Sequence, residues 1–164
     1  MEFIRRANLD DLLAITEIYN HAILHGTATF DTEIKSLENR KEWLLNRDEN
    51  FPVLVAEFQG EVVAYAALNK WSERQAYSIT AEVSFYVADK FRARGIGKAL
   101  FSKLCNVAQN ETNLHSLISR ISQGNDASIY LHQLNNFELM GVMKQAGKKF
   151  GALHDVTFMQ KMLR

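Results

Sequence analysis

The chain has 164 residues, of which 47% are hydrophobic and 23% charged, and its 19 Lys and Arg balance 19 Asp and Glu to a formal net charge of +0. This predicts one globular domain over residues 1–164, and it excludes a general electrostatic attraction to nucleic acid or a membrane surface. The single cysteine, Cys105, excludes an intramolecular disulfide. Because no apolar run approaches about 18 residues and no signal-peptide pattern is present, we expect a cytoplasmic protein.

Hydrophobic periodicity and turn residues predict the elements in chain order. Those of the first half are a strand at 3–6, a helix capped by Asn8, a loop at 26–32, a helix from Ser36 to about Asn46, and a hairpin of strands 52–58 and 61–68. Those of the second half are a long strand opened by Tyr77, a helix after the loop at 92–98, a strand at 117–122, a helix closed by Asn135-Asn136, and strands around 139–145 and 154–163 joined by the turn 147–151. This order predicts an α/β fold with a mixed, mostly antiparallel central sheet of about seven strands and helices on both faces.

The segment 82–100 changes from the two-residue period of a half-buried strand to helical spacing. Between the two lies a basic loop that contains Gly95 and Gly97. Unpaired N–H groups at a helix N-terminus, together with the helix dipole, favour a phosphate or pyrophosphate. The loop is therefore a candidate phosphate site, and the alternative is an ordinary strand-to-helix connection with incidental surface arginines.

The two familiar phosphate-binding loops do not fit this segment. A Walker A loop needs a glycine where Arg92 stands and Ser or Thr where Ala99 stands. In the dinucleotide fingerprint the third glycine would fall at Leu100. The pattern that fits is Arg-x-x-Gly-x-Gly directly after a strand.

That pattern resembles the GNAT superfamily of acetyl-CoA-dependent N-acetyltransferases. Six further segments resemble its phosphinothricin/methionine sulfoximine acetyltransferase branch, whose members acetylate the α-amine of small glutamate- or methionine-like amino acids. The segments are Tyr19-Asn20-His21, Thr27-Ala28-Thr29-Phe30, Arg74-Gln75-Ala76-Tyr77, the strand 80–87, Asn125-Asp126-Ala127-Ser128 and Lys149-Phe150-Gly151. The resemblance implies acetyl-CoA as co-substrate, with the loop amides on its pyrophosphate and the strand paired with its pantetheine arm. It also implies a homodimer. The expected cofactor-binding residues are Phe85, Tyr86, Val87, Arg92, Ala93, Arg94, Gly95, Ile96, Gly97, Lys98, Asn125 and Ser128.

Amine acetylation requires a base, because an amino group is protonated at neutral pH and must lose a proton before it attacks a thioester. Glu82 is the candidate, on the strand just before the loop; in related enzymes a glutamate at this position has that role. The alternative is that Glu82 only pairs with a neighbouring arginine. Backbone N–H groups near Phe85 to Val87 are candidates for holding the oxyanion.

Many GNAT enzymes place a tyrosine seven residues after the helix-capping asparagine, as an acid for the departing thiolate. Counted from Asn125, that position is His132. An imidazole can serve as a general acid, and the alternative is a partly exposed structural histidine.

A free amino acid also brings a carboxylate, for which a bidentate arginine is the natural partner. Arg74 is the candidate, with Phe30 and Tyr77 as apolar walls, although ordinary core packing would explain both rings. His21 and His25 share a helix face, but nothing completes a metal site around them. We therefore expect no metal.

The sequence thus predicts direct acetyl transfer from acetyl-CoA to a small amine. The alternatives are acetylation of a protein N-terminus or lysine and a non-catalytic CoA-binding module. The chain departs from the branch pattern at two places: Asn135-Asn136-Phe137 stands where relatives have Leu-Gly-Phe, and Leu153 stands where relatives carry tryptophan. The first change is expected to alter helix capping rather than chemistry. The second removes an indole near the acceptor pocket or a dimer contact and is expected to widen the pocket.

Overall fold

The structure is a computed structural model that describes residues 2–164. Within that range the four helices are α1 (Leu12–His25), α2 (Leu37–Leu45), α3 (Ile96–Glu111) and α4 (Asp126–Leu134). The seven strands are β1 (Glu2–Arg6), β2 (Val53–Phe58), β3 (Glu61–Lys70), β4 (Thr80–Val87), β5 (Ser116–Ser122), β6 (Glu138–Lys149) and β7 (Ala152–Met162). Element types and order agree with the sequence prediction.

The strands form one sheet in the order β1-β2-β3-β4-β5-β7-β6. All neighbours are antiparallel except β4 and β5, which are parallel. This exception arises because α3 carries the chain back across the sheet between them, as a parallel connection requires. The predicted mixed, mostly antiparallel sheet with seven strands is confirmed.

Apolar side chains pack on both faces of the sheet. On one face α3 inserts Leu100, Phe101 and Leu104, each 0% exposed. On the other face Ile15 of α1 packs against a smaller cluster that includes Tyr65. Cys105 lies in the larger cluster, where burial raises the pKa of its thiol to about 12. Among residues 2–164 no helix is long and apolar enough to span a membrane.

Local chemistry explains where several elements begin and end. Gln59 and Gly60 both have positive φ, 53° and 85°, as a two-residue hairpin turn of mirror-image type needs. Asn136 takes φ 63° just after α4, so the predicted left-handed asparagine at this helix end is confirmed. Asn8 forms a capping box with Asp11, but over a 3-10 turn that precedes α1.

Two predicted strand boundaries are wrong. Tyr77 does not open β4; it ends a short 3-10 turn, and β4 begins at Thr80. The turn predicted at 147–151 is confined to Phe150 and Gly151, with φ 51° and 73°. The two preceding lysines and Gly147 continue β6, because all three residues stay paired with β7.

Candidate active site

The parallel strands β4 and β5 pair briefly and then separate. Their ladder ends at Glu82 opposite Ile118, although β4 stays paired with β3 as far as Val87 and β5 stays paired with β7 as far as Ser122. Beyond the last pair, the facing edges find no ladder partner within the described chain. The resulting wedge presents backbone N–H and C=O groups that an extended ligand can bind by strand addition.

The open edge of β4 is built from backbone, because its side chains point elsewhere. Phe85 packs on Phe101 of α3, with ring centroids 5.0 Å apart. Tyr86 points to the opposite face and stacks on Tyr19 and Tyr65, at 5.3 Å from each. A ligand in the wedge would therefore meet the main chain of 85–87, as predicted for the pantetheine arm.

The two glycines after β4 answer two different geometric needs. Gly95 caps α3 with φ 85°, in the left-handed region that favours glycine. A Cβ on Gly97 would lie 3.2 Å from Cγ2 of Val87, so a larger residue there would require Val87 to shift by a few tenths of an ångström. No side chain of residues 2–164 caps the N-terminus of α3. Its first N–H groups can therefore bind an anion.

The cations predicted to rim this loop lie at the surface. Arg92 donates to Asp89 at 2.8 Å and to the carbonyl oxygen of Val87 at 3.3 Å. Arg94 lies with its guanidinium carbon 5.4 Å from the ring centre of Phe91, and Lys98 is exposed. The loop residues 92–98 thus meet at the end of β4, as the phosphate-site prediction requires.

Glu82 lies where the wedge begins, and Arg120 holds it there. The guanidinium donates from Nε to Oε1 at 2.8 Å and from Nη2 to Oε2 at 2.6 Å. The Glu82 side chain is 19% exposed and that of Arg120 is 53% exposed. The carboxylate raises the pKa of Arg120 through these hydrogen bonds. The alternative role foreseen for Glu82, an arginine pair, is present in this structure; the base role stays a prediction.

A cavity of about 1090 Å³ opens from Glu82 on the face of the sheet opposite α3. Its walls come from β4, β5, α1, α2, the loop 26–32 and the β6–β7 hairpin. The residues that line it include Tyr19, Phe30, Arg40, Glu73, Glu82 and Arg120. This volume accommodates a small amino acid next to the end of the wedge.

Two arginines make one end of this cavity electropositive. Arg40 is only 6% exposed, and its guanidinium carbon lies 3.8 Å from the ring centre of Trp43 and 4.6 Å from that of Tyr19. Arg47 donates to the carbonyl oxygens of Phe51 and Leu68, and burial beside Arg40 lowers its pKa to about 10. Neither arginine forms an ion pair within residues 2–164, and the Nε of Arg40 is buried without a hydrogen-bond partner.

The β6–β7 hairpin fixes the loop that carries Phe30. Lys149 is 3% exposed and donates from Nζ to the carbonyl oxygen of Thr29 at 2.8 Å. A Cβ on Gly147 would lie 2.1 Å from the Phe30 ring, so the ring occupies the space of the missing side chain. Phe30 is thereby held against the cavity, where the sequence placed it.

Three residues predicted to shape the acceptor pocket lie outside the cavity lining. Arg74 is exposed, its backbone N donates to the Ser72 hydroxyl, and its carbonyl oxygen accepts from the Tyr77 backbone N. Tyr77 is 46% exposed and Leu153 is 54% exposed. The structure therefore does not bring Arg74 or Tyr77 to Glu82, and their substrate contacts stay predictions.

His132 lies in the core beneath β5. It is 2% exposed, and its ring nitrogens are 2.6 Å from the Ser128 carbonyl oxygen and 2.6 Å from the Ser119 hydroxyl. Since a carbonyl only accepts, Nδ1 carries the hydrogen and Nε2 accepts from Ser119. Burial lowers the pKa of His132 to about 4. The ring is therefore neutral at neutral pH, and a general-acid step would have to pass through Ser119.

Asn125 and Ser128, predicted cofactor contacts, begin the same helix. Asn125 Oδ1 accepts from the Ser128 backbone N at 3.2 Å, which caps α4. Ser128 is 9% exposed, and its Oγ lies 3.4 Å from Nδ1 of His132. In this structure both side chains stabilise α4, and their cofactor role stays a prediction.

Three residues that line or support the cavity were not predicted from the sequence: Arg120, Arg40 and Lys149. Arg120 had a readable signal: it is the one charged residue in the strand Leu117 to Ser122, and an exposed position in a buried run marks a special role. Arg40 and Lys149 had no comparable signal, because each lies in a polar segment whose burial depends on contacts with distant parts of the chain.

The fold, the wedge and the glycine-bearing loop together define a CoA-dependent acyltransferase architecture. Residues 4–158 match the acetyltransferase (GNAT) domain family. The chain belongs to this family of acetyl-CoA-dependent enzymes.

Three similar proteins have names that state different acceptors. The L-methionine sulfoximine/L-methionine sulfone acetyltransferase of Salmonella typhimurium is 38% identical over 98% of this chain and 94% of its own length. A phosphinothricin acetyltransferase from Sinorhizobium meliloti, solved with acetyl-CoA, is 34% identical with a TM-score of 0.91, over 98% of this chain and 88% of that one. The ribosomal-protein-alanine N-acetyltransferase of Brucella melitensis is 42% identical with a TM-score of 0.93, over 98% of this chain and 99% of that one.

Proposed function

We propose that the enzyme transfers acetyl from acetyl-CoA to the α-amine of a small amino acid or analogue of the methionine sulfoximine, methionine sulfone or phosphinothricin type. The observation that carries this proposal is the position of Glu82. It stands where the wedge between β4 and β5 meets a cavity large enough for an amino acid. The substrates of two similar proteins support the acceptor class.

The proposed reaction is a direct transfer. Glu82 takes a proton from the α-ammonium, and the freed amine attacks the thioester carbonyl carbon. Backbone N–H groups near 85–87 hold the oxyanion of the tetrahedral intermediate. The C–S bond then breaks, the thiolate takes a proton, and the products are the N-acetyl amino acid and free CoA.

Acetyl-CoA in the proposed site lies along β4, with its pyrophosphate on the N-terminus of α3. The left-handed Gly95, the close approach at Gly97 and the exposed cations of the loop support this placement.

Thiol release from acetyl-CoA tests the acceptor class. We expect turnover with methionine sulfone, methionine sulfoximine or phosphinothricin and none with a lysine-bearing peptide. If no free amino acid in this panel is acetylated while acetyl-CoA still binds in a parallel titration, the acceptor assignment is wrong.

The second candidate acceptor is the N-terminal alanine of a protein, which the name of the Brucella melitensis relative supports. A peptide that begins with alanine belongs in the same assay. A kcat/KM for that peptide above that for the amino acids would favour this function.

The proposed working form is a cytoplasmic homodimer. β6 is an edge strand with exposed apolar side chains on both faces, including Leu139 at 65%, Met140 at 55% and Met143 at 50%. An exposed apolar edge is typical of a surface that a second copy covers. Light scattering should give about twice the 18.7 kDa chain mass. Leu139→Glu should give monomer, whereas Leu24→Glu, at a 53% exposed site on α1, should not.

A further inference from the structure

We infer that Arg120 binds the α-carboxylate of the acceptor while Glu82 takes its α-ammonium. The ion pair between these two residues is then the ligand-free form of a zwitterion site, which an amino acid opens by inserting between them. This inference rests on the proposed function and adds the residue that selects free amino acids over other amines.

The geometry of the pair supports this assignment. Both guanidinium donors meet both carboxylate oxygens, at 2.8 and 2.6 Å, in the fork arrangement that also suits a substrate carboxylate. Arg120 is 53% exposed, so its guanidinium can turn toward a ligand, whereas Glu82 is 19% exposed. Both line the acceptor cavity.

The charges of an α-amino acid match this pair one for one. Its ammonium replaces the guanidinium on Glu82, and its carboxylate replaces Glu82 on the guanidinium. One ion pair becomes two, so no charge is left without a partner in the partly buried site. An amine without a neighbouring anion could replace Arg120 on Glu82, but it would leave the guanidinium of Arg120 without an anionic partner.

The pair also controls when Glu82 can act as a base. With both oxygens already accepting a hydrogen bond from Arg120, the carboxylate is a weaker proton acceptor for an amine than a free carboxylate. A carboxylate next to the reacting amine offers the guanidinium a replacement partner and releases Glu82. The enzyme would thus select for an anion beside the amine by making its own base depend on it.

Other arginines near the site lack this arrangement. Arg74 does not line the cavity. Arg40 does line it, but its guanidinium is stacked between Tyr19 and Trp43 at 6% exposure. Within residues 2–164 only Arg120 pairs with Glu82.

Three acceptors that differ only at the carboxylate test the inference: methionine sulfone, its carboxamide, and 3-(methylsulfonyl)propylamine, which lacks the group. The parent should prefer methionine sulfone in kcat/KM by about 10- to 100-fold, as expected for a hydrogen-bonded charge pair. Arg120→Gln should reduce that preference to a few-fold through a higher KM for methionine sulfone, with turnover of the two analogues that lack a carboxylate equal or raised. Arg6→Gln, which removes an exposed arginine paired with Glu111 outside the cavity lining, is the matched control and should keep the parent's preference. Arg74→Gln tests the other candidate for the carboxylate and should also keep it.

The outcomes separate the two proposals. If the parent acetylates none of the free amino acids, the proposed function fails and this inference fails with it. If the parent acetylates methionine sulfone but Arg120→Gln keeps the same preference, the function stands and the role of Arg120 is wrong. Loss of the preference in Arg74→Gln would also overturn it.

A second variant covers the case in which Arg120→Gln does not fold, as judged by lost acetyl-CoA binding. Arg120→Lys keeps the positive charge but cannot form the two-donor fork. Its preference in kcat/KM for methionine sulfone over the two analogues should be smaller than the parent's but should not disappear. A preference equal to the parent's would contradict bidentate carboxylate binding.

Discussion

The two sides of β4 are built in different ways. On the wedge side the groups available to a ligand are backbone N–H and C=O groups, positioned by Gly95, Gly97 and the separation of two parallel strands. On the cavity side they are charged and aromatic side chains from α1, α2, β5 and the β6–β7 hairpin. The residues of the wedge side are close together in the sequence, whereas those of the cavity side come together only when distant segments of the chain pack.

The largest expected effect comes from the residue where the two sides meet. Glu82→Gln should lower kcat by about 10²-fold or more, because the amide cannot accept the ammonium proton. Binding of acetyl-CoA should be unchanged, since the wedge and the loop remain. Stopped-flow thiol release and a titration with acetyl-CoA measure the two quantities.

Glu73→Gln is the matched control for this variant. Glu73 also lines the cavity, but its side chain is 89% exposed and pairs only weakly with Lys70 at 3.9 Å. It should keep kcat within a few-fold of the parent. Equal losses in the two variants would contradict a special role for Glu82.

The next effect concerns His132, which lies between the two sides beneath β5. Its pKa is lowered to about 4 in the folded state from an ordinary value of 6.5, so the unfolded chain binds the proton first as pH falls. The contribution of His132 to the free energy of unfolding is therefore fully present above pH 6.5 and is lost as the pH falls toward 4. This lowers the free energy of unfolding by about 2 kcal/mol between pH 8 and pH 5. Urea unfolding at the two pH values measures this decline.

His132→Gln should remove most of that pH dependence, whatever its effect on stability at pH 8. Exposed His115 provides the comparison, and His115→Gln should keep the parent's slope. A slope that persists in His132→Gln would show that the titrating group lies elsewhere.

A third test breaks the wedge side alone. Gly95→Val should weaken acetyl-CoA binding by about tenfold or more, because a β-branched residue resists φ 85° and the first N–H groups of α3 would shift. Gly60→Val is closely matched, since Gly60 has the same φ of 85° and likewise no atom within 4 Å of its ideal Cβ. It should lower stability similarly and leave acetyl-CoA affinity unchanged. Calorimetry separates the two effects, and parent-like affinity in Gly95→Val would contradict the pyrophosphate site.

The smallest expected effect breaks the cavity side alone. Gly147→Ala places a methyl group 2.1 Å from the Phe30 ring, which must move. We expect the acceptor KM to rise by about fivefold, a loss of about 1 kcal/mol, with no change in acetyl-CoA affinity. Gly141→Ala in the same strand has open space at its Cβ and should behave as the parent. If Gly147→Ala changes the acetyl-CoA affinity and leaves the acceptor KM unchanged, the cavity side binds acetyl-CoA and not the acceptor.

The parts of the molecule that could be predicted are those that depend on neighbouring residues in the sequence. Periodicity and turn residues predicted all seven strands and four helices, because each signal is local. The loop at 92–98 was predictable for the same reason. The position of Glu82 could be inferred because it lies on the strand that leads into that loop.

The acceptor side resisted prediction because its members are far apart in the chain. Arg74 was chosen for the carboxylate from chemistry and resemblance, yet the structure brings Arg120 to Glu82 through the order of strands in the sheet. The burial of Lys149 depends on a contact with Thr29, 120 residues away. No periodicity within a window of sequence contains that information.

The contact between Gly147 and Phe30 ties the shape of the acceptor cavity to the state of the β6–β7 hairpin. The same hairpin supplies the edge strand that a second copy is proposed to cover. Protein concentration then becomes a variable of specificity: as dimers dissociate on dilution, the acceptor KM should rise while the KM for acetyl-CoA stays constant. An enzyme of this design would recognise its amine fully only where enough copies of the chain have accumulated to pair.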